Sequence, residues 1–116
     1  MNADEVRHLL RCGTPAVVVN LRDHELVDNL GDLVFRIDRR TRWGNPYRMH
    51  SAKSRGDGTR EEVIALYGHY LVDSDLVGDL EVLRGHALAC WCAPAPCHGD
   101  VLVDALKSTA TRGPDN

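Results

Sequence analysis

The residues best suited to chemistry form one short cluster, CWCAPAPCHGD, at positions 90–100. Three of the four cysteines of the chain fall in this cluster, and His98 and Asp100 complete it. Two prolines restrict the backbone between the second and third thiols. Thiolates bind soft metals or act as nucleophiles, whereas histidine and aspartate transfer protons. The cluster therefore predicts a functional site and leaves its chemistry open.

In one interpretation the cluster binds zinc. Cys90, Cys92, Cys97 and His98 are the ligand types of a tetrahedral site with three cysteines and one histidine. The spacing is unusual, because a single residue separates Cys90 from Cys92, whereas zinc knuckles separate paired cysteines by about two to four residues. This interpretation predicts a zinc-stabilised protein-interaction module, for example a phage protein that acts on a host protein.

In a second interpretation the thiols and His98 line a ligand pocket where a strand leads into a helix. Cys97 would begin the helix, gain thiolate character and be the nucleophile candidate. His98 or Asp100 would be the acid–base group, and the helix start would hold an anion. The structural alternative is that the cysteines are buried small side chains and Asp100 only caps the helix. Cys12, remote from the cluster, is expected to be structural.

A second motif, RWGNPY, occupies positions 42–47. Gly44 allows a close backbone approach, and the following proline holds Asn45 in extended geometry, which aims its amide. Trp43 can stack on a planar ring, and Arg42 can pair with a phosphate or carboxylate. A purine or a nucleotide would satisfy all of these groups. The alternative is a rigid loop whose aromatic rings only cover the core.

Basic residues are concentrated around this motif. The chain carries a formal net charge of −3, which argues against binding to a nucleic-acid backbone. Nevertheless, five arginines fall within thirteen residues: Arg36, Arg39, Arg40, Arg42 and Arg48. This local charge favours a small ligand that carries a phosphate, unless the segment is simply a solvated loop.

Hydrophobic periodicity predicts the elements that position these motifs. We expect helices at 4–11, 59–71, 75–83 and 98–107, and strands at 16–21, 33–37 and 87–92. Asp4 is the candidate cap of the first helix, and Thr59 with Glu62 has the capping-box pattern. The order predicts an α/β fold: a small single-domain Rossmann-like three-layer arrangement with a short, mostly parallel sheet. This domain would cover residues 1–107, followed by a flexible tail at 108–116.

Asn20 and Arg22 fall at the C-terminal end of the first predicted strand, where ligands bind in such sheets. In the pocket interpretation Asn20, Arg22 and Asn45 position the ligand while Trp43 stacks on it. Trp91, which alternates with the cysteines, is expected to point into packing.

Composition limits the location and the partners. The chain is 43% hydrophobic and 27% charged, which is typical of globular proteins. Its apolar runs are too short to cross a bilayer, and its acidic N-terminus is unlike a secretory signal. We therefore expect a cytoplasmic protein with reduced thiols and no membrane partner. The expected partner is a small molecule with a phosphate or a planar ring; a host protein and zinc belong to the alternative interpretation.

Taken together, Asn20-Leu21-Arg22, the WGNP element at 43–46 and the cysteine cluster resemble DUF4326, a family of small bacterial and bacteriophage domains of unknown function. The resemblance covers roughly residues 16–106. It implies a small cytoplasmic α/β domain, often in a phage or actinobacterial setting, and it supplies no reaction. Many members carry a glycine-containing stretch where this chain reads DLVFRIDR at 32–39, so no ligand role is carried over to that segment.

The hypothesis from sequence is a domain that binds a nucleotide- or nucleoside-related ligand between the WGNP loop and the cysteine cluster. Hydrolysis and group transfer are the reaction classes that such a site would serve. Whether the protein is an enzyme stays open at this point.

Overall fold

The computed structural model of the chain describes residues 1–49, 51, 55–93 and 95–112. These residues form four α-helices, three strands and two 3-10 helices. In chain order they are α1 (Ala3–Arg11), β1 (Ala16–Asn20), α2 (His24–Leu30), β2 (Val34–Arg36), α3 (Arg60–Asp73), β3 (His86–Cys90) and α4 (His98–Arg112). The 3-10 helices span Gly31–Leu33 and Leu76–Leu83.

The three strands form one parallel sheet in the order β1-β3-β2. In this register Asn20 pairs with Cys90, and Arg36 pairs with Ala89. Because all three strands run in the same direction, their C-terminal ends meet at one edge of the sheet, which is where ligands bind in parallel α/β folds.

Two hydrophobic clusters cover the two faces of the sheet. Val17 and Val19 of β1 pack with the residues of α1 and α2, whereas Leu88 and Cys90 of β3 pack with those of α3 and α4. Successive side chains of a strand point to opposite faces, so one short strand supplies both clusters. The result is a three-layer α/β arrangement around a short parallel sheet, which confirms the predicted fold class.

Most predicted elements form, with differences at their ends. The capping box of Thr59 and Glu62 is present, but Asn2 caps α1 and not Asp4, because the Asn2 side chain accepts from the backbone N–H of Glu5. The helix predicted at 75–83 forms as a 3-10 helix, Leu76–Leu83. The sequence pattern did not resolve α2, whose start is capped by the Asp23 carboxylate.

The last strand and the last helix differ most from expectation. β3 ends at Cys90, two residues early, and α4 continues to Arg112, beyond the predicted end. The prediction of a flexible tail falls partly on residues 113–116, which lie outside the described residues, as do Pro94 and residues 52–54. Within the described part of the chain, no helix is long and apolar enough to cross a membrane.

Candidate site at the carboxyl edge of the sheet

A cavity of about 630 Å³ opens at the carboxyl edge of the sheet. Its walls come from the loop after β2, the first turns of α3, the end of β3 and the start of α4. Its volume is typical of sites for small molecules. Here the fold brings the cysteine cluster next to the loop that carries the WGNP element, as the pocket interpretation requires.

A pair of thiols forms the floor of this cavity. Cys90 ends β3 and Cys97 directly precedes α4, and their sulfur atoms lie 3.4 Å apart. Both side chains are almost fully buried, at 1% and 3% exposure. Cys97 is the N-cap of α4, and its Sγ accepts the backbone N–H of Gly99 at 3.3 Å. A sulfur therefore takes the place of the usual capping oxygen.

The two thiols share their protons unequally. The contact with the Cys97 sulfur and the nearby backbone N–H groups of Cys92 and Ala93 lower the pKa of Cys90. The same contact and burial raise the pKa of Cys97. Backbone donors stabilise the charged form of the acceptor. A thiol of one residue can thus donate to a thiolate of the other across this contact.

His98 is held as a neutral structural group. Its Nε2 donates to the carbonyl oxygen of Ile37 at 2.6 Å, and its ring packs edge-on against Tyr67, with centroids 4.9 Å apart. Burial lowers the pKa of His98. Because this ring nitrogen is committed to a carbonyl, His98 fixes the start of α4 against the loop after β2.

Asp100 caps the same helix. Its carboxylate accepts the backbone N–H of Cys97 at 3.0 Å, and its side chain does not line the cavity among the described residues. The N–H groups of Cys97 and Gly99 at the helix start are thus engaged by the carboxylate of Asp100 and the sulfur of Cys97.

The WGNP element has a structural role: it packs into the core and supports one wall of the cavity. Trp43 is only 2% exposed and belongs to the core between the sheet and α3; its carbonyl accepts the Tyr67 hydroxyl at 2.7 Å. A ligand has no access to this ring, so the stacking role expected for Trp43 is wrong. Gly44 passes so close to the backbone of Arg39 that a Cβ would lie 2.5 Å from its Cα.

Asn45 anchors the loop to α3. Its Nδ2 donates to the carbonyl of Val63 at 3.0 Å, and its Oδ1 accepts the backbone N–H of Tyr47 at 2.9 Å. Arg39 donates to the carbonyls of Asn45 and Tyr47, both at 3.0 Å. Asn45 does line the cavity, but its amide is used by the protein itself, so it shapes the wall.

Arginine side chains give the cavity its charge. Four line it: Arg39, Arg40, Arg48 and Arg60. Arg60 starts α3 and donates to the carbonyl of Pro96 at 3.0 Å, which holds the turn after β3 against α3. Asp38 is the one carboxylate among the described lining residues, and Arg36 pairs with it. The cavity is therefore cationic in a chain that is acidic overall.

Trp91 is the tryptophan that lines the cavity, together with Tyr47. The expectation that it points into packing is wrong, because 47% of it is exposed while it lines the cavity. Its Nε1 donates to Asp38 at 3.0 Å. Arg36 pairs with the same carboxylate, and these contacts, that of Arg36 foremost, lower the pKa of Asp38. A charged acceptor thus fixes the orientation of an accessible indole ring.

Besides Trp43 and Gly44, three predicted ligand-binding residues do not line the cavity. Asn20 donates its amide to the carbonyls of Trp91 and Ala93, at 3.3 and 2.6 Å, and so pins the turn after β3. Arg22 is exposed and does not line the cavity. Arg42 stacks over the outer side of Trp43, 5.2 Å from the ring centroid, and pairs with Asp79 at 2.8 Å.

The cluster does not assemble as a metal site. No group of three or more potential ligands is suitably placed among the described residues, which include Cys90, Cys92, Cys97 and His98. The chemistry of the donors agrees, since one ring nitrogen of His98 is bonded to a carbonyl and Cys97 caps a helix. The residues present do not fit the zinc interpretation.

Fold and site define a class: a small parallel α/β protein with an arginine-lined cavity and a buried thiol pair at the carboxyl edge of its sheet. The chain belongs to the family described as "Domain of unknown function (DUF4326)", whose model matches residues 19–108. The resemblance inferred from the motifs is thereby confirmed.

Two viral proteins are similar to the chain. An uncharacterized 12.4 kDa protein from the nrdA-td intergenic region of Enterobacteria phage T4 is 36% identical over 81 residues, which cover 66% of this chain and 69% of that protein. An uncharacterized protein of Acanthamoeba polyphaga mimivirus is 31% identical over 75 residues, or 58% of this chain and 54% of that protein. The chain thus spans about half the length of the mimivirus relative. No solved structure matches the chain.

Proposed function

We propose that the cavity at the carboxyl edge of the sheet binds a small phosphate-bearing ligand with a planar ring, of the nucleotide class. The observation that carries this proposal is the combination of four lining arginines with one accessible, fixed indole ring. Guanidinium groups match phosphate oxygens in charge and geometry. An indole face stacks on any nucleobase, because every base has a π-face.

The roles of individual residues differ from those expected from sequence. Trp91 takes the stacking role that the sequence suggested for Trp43. Arg40 and Arg48 lie on the loop side of the cavity, and Arg60 lies on the α3 side, so a phosphate between them meets cations from two elements. A cytoplasmic location belongs to the same proposal, since all four cysteines are free and reducing conditions preserve thiols. Hydrolysis or group transfer remains the reaction class that we propose for such a ligand.

The test is calorimetric titration of the full chain with AMP, UMP, adenosine and inorganic phosphate. We expect the nucleotides to bind more tightly than either fragment alone. Trp91→Leu should weaken nucleotide binding by about 5- to 150-fold, the equivalent of the ~1–3 kcal/mol that one stacked base contributes, and should leave phosphate binding unchanged. Arg40→Gln should weaken nucleotides and phosphate alike.

Arg22→Gln is the matched control, because Arg22 is an exposed arginine that does not line the cavity. It removes the same charge from the chain and should bind AMP like the wild type. If no nucleotide binds at millimolar concentration, or if the Arg22 and Arg40 variants lose affinity equally, the proposed function is wrong.

A further inference from the structure

The buried thiol pair has a chemistry that the proposed binding function does not use. The two sulfur atoms of Cys90 and Cys97 lie 3.4 Å apart, in contact with each other, and both line the cavity through which a small reagent would reach them. A disulfide requires about 2.05 Å. The sulfur atoms are thus neighbours whose separation must shorten by about 1.4 Å.

We propose that Cys90 and Cys97 are an oxidant-reactive dithiol, in which Cys90 attacks a peroxide and Cys97 resolves the product to a disulfide. The sulfur of Cys90 attacks one peroxide oxygen and breaks the O–O bond; the other oxygen leaves and is protonated to water. Cys90 becomes a sulfenic acid. The Cys97 sulfur then attacks the Cys90 sulfur, and the departing oxygen leaves as a second water. Two thiols are oxidised and one hydrogen peroxide is reduced.

The contact between the two sulfur atoms explains why one thiol can resolve the oxidation of the other. The contact with Cys97 and the nearby backbone N–H groups of Cys92 and Ala93 lower the pKa of Cys90, which favours Cys90 as the attacking thiolate. Cys97 touches its partner, which is the position of a resolving thiol. The nucleophile in the cavity is therefore Cys90, whereas the sequence pattern had favoured Cys97.

The surroundings of the pair favour this reaction over simple burial. Reactive thiols lie in electropositive, accessible surroundings, whereas structural ones lie in apolar pockets. Here four arginines line the same cavity as the two sulfur atoms. Cys92 lines the cavity as well and is partly buried, but it has no sulfur contact comparable to the Cys90–Cys97 contact among the described residues. Cys92 is thus the matched control within the same cavity.

The experiment treats the reduced full chain with stoichiometric hydrogen peroxide and follows it by intact and peptide mass spectrometry. We expect the mass to fall by two hydrogens, with a single bond that links the Cys90 and Cys97 peptides, and dithiothreitol to reverse it. Cys97→Ala should stop at a sulfenic acid on Cys90, trapped by dimedone. Cys92→Ser should form the disulfide at the wild-type rate within about twofold, because the attacking and resolving thiols both remain.

Three results would overturn the proposal: a folded protein that does not react, first oxidation at Cys12 or Cys92, or dimedone labelling of Cys97 in Cys90→Ala as fast as the labelling of Cys90 in Cys97→Ala. Circular dichroism of each variant before oxidation separates loss of fold from loss of reactivity. The measurement involves no nucleotide, so its failure leaves the proposed binding function standing, and failure of nucleotide binding leaves the dithiol proposal standing.

Discussion

A single methyl group added at Gly44 should displace one wall of the candidate site. A Cβ built on Gly44 would lie 2.5 Å from the Cα and 2.8 Å from the N of Arg39, and 2.6 Å from the carbonyl oxygen of Asp38. Carbon atoms normally meet at about 3.5–4.0 Å. All three clashes are with backbone, which cannot turn away as a side chain can, so Gly44→Ala must displace the loop by about 1 Å.

The size of the effect follows from this displacement. Overpacking in a close-packed region costs about 1–3 kcal/mol, and a clash with backbone alone places Gly44→Ala near the upper end, at about 3 kcal/mol. For a domain of this size that corresponds to a fall of roughly 10 °C in Tm. Asp38 and Arg39 also line the cavity, so the variant should bind AMP more weakly than the wild type even where it is fully folded.

Gly78→Ala is the control for this measurement. Gly78 is exposed in the second 3-10 helix, and a Cβ there would meet nothing within 4 Å. Its unfolding free energy should stay equal or rise by up to about 1 kcal/mol, because alanine restricts the unfolded chain. Urea denaturation monitored by circular dichroism compares the two variants. Ordinary surface substitutions change the unfolding free energy by at most about 0.5 kcal/mol. If the unfolding free energy of Gly44→Ala lies within that range of the wild-type value, the close approach of Gly44 to the Arg39 backbone does not hold the loop.

Two further predictions concern the polar groups that hold the cavity walls. Burial lowers the pKa of His98, so only the unfolded state gains its proton as the pH falls below about 6.5. The unfolding free energy should therefore decrease as the pH falls from about 6.5 to the lower pKa that His98 has in the folded protein. Urea titrations at several pH values should show a smaller decrease for His98→Gln than for the wild type. The same decrease in both proteins would show that His98 is not held neutral. Asn45→Ala removes the acceptor of the Tyr47 N–H and should cost about 1–3 kcal/mol, the penalty for one unsatisfied buried group. The exposed Asn29→Ala should change stability by less than about 0.5 kcal/mol, and equal effects of the two asparagine variants would rule out the anchoring role.

Local patterns in the sequence were enough to predict most helices and strands and the edge of the sheet at which the candidate site lies. The Thr59–Glu62 capping box and the apolar run of β1 depend on neighbours in the chain, and both form as expected. The polar residues that follow such strands must gather at one edge of a parallel sheet. For that reason the sequence alone predicts that the cysteine cluster and the arginine-rich loop surround one cavity.

The assignment of roles within the cavity required the tertiary structure. Trp43 and Trp91 each lie in a conspicuous motif, and the sequence does not show which of them faces the cavity. The packing of α3 against the sheet buries Trp43, whereas the hydrogen bond to Asp38 holds Trp91 at the cavity. Asn20 lies at the carboxyl edge of the sheet, as predicted, but its amide donates to the carbonyl of Ala93 and so holds the turn after β3.

The sequence by itself determined an α/β fold, its family and the two segments that meet at the carboxyl edge, because these depend on periodicity and on local capping. Which of those side chains face a ligand was decided by contacts between residues far apart in the chain. The bond of Asn45 to Val63 in α3 and the 3.4 Å contact between Cys90 and Cys97 exist only once the strands and helices have packed. Because of that packing, the cysteine cluster forms a thiol pair at the base of an arginine-lined cavity and not a metal site.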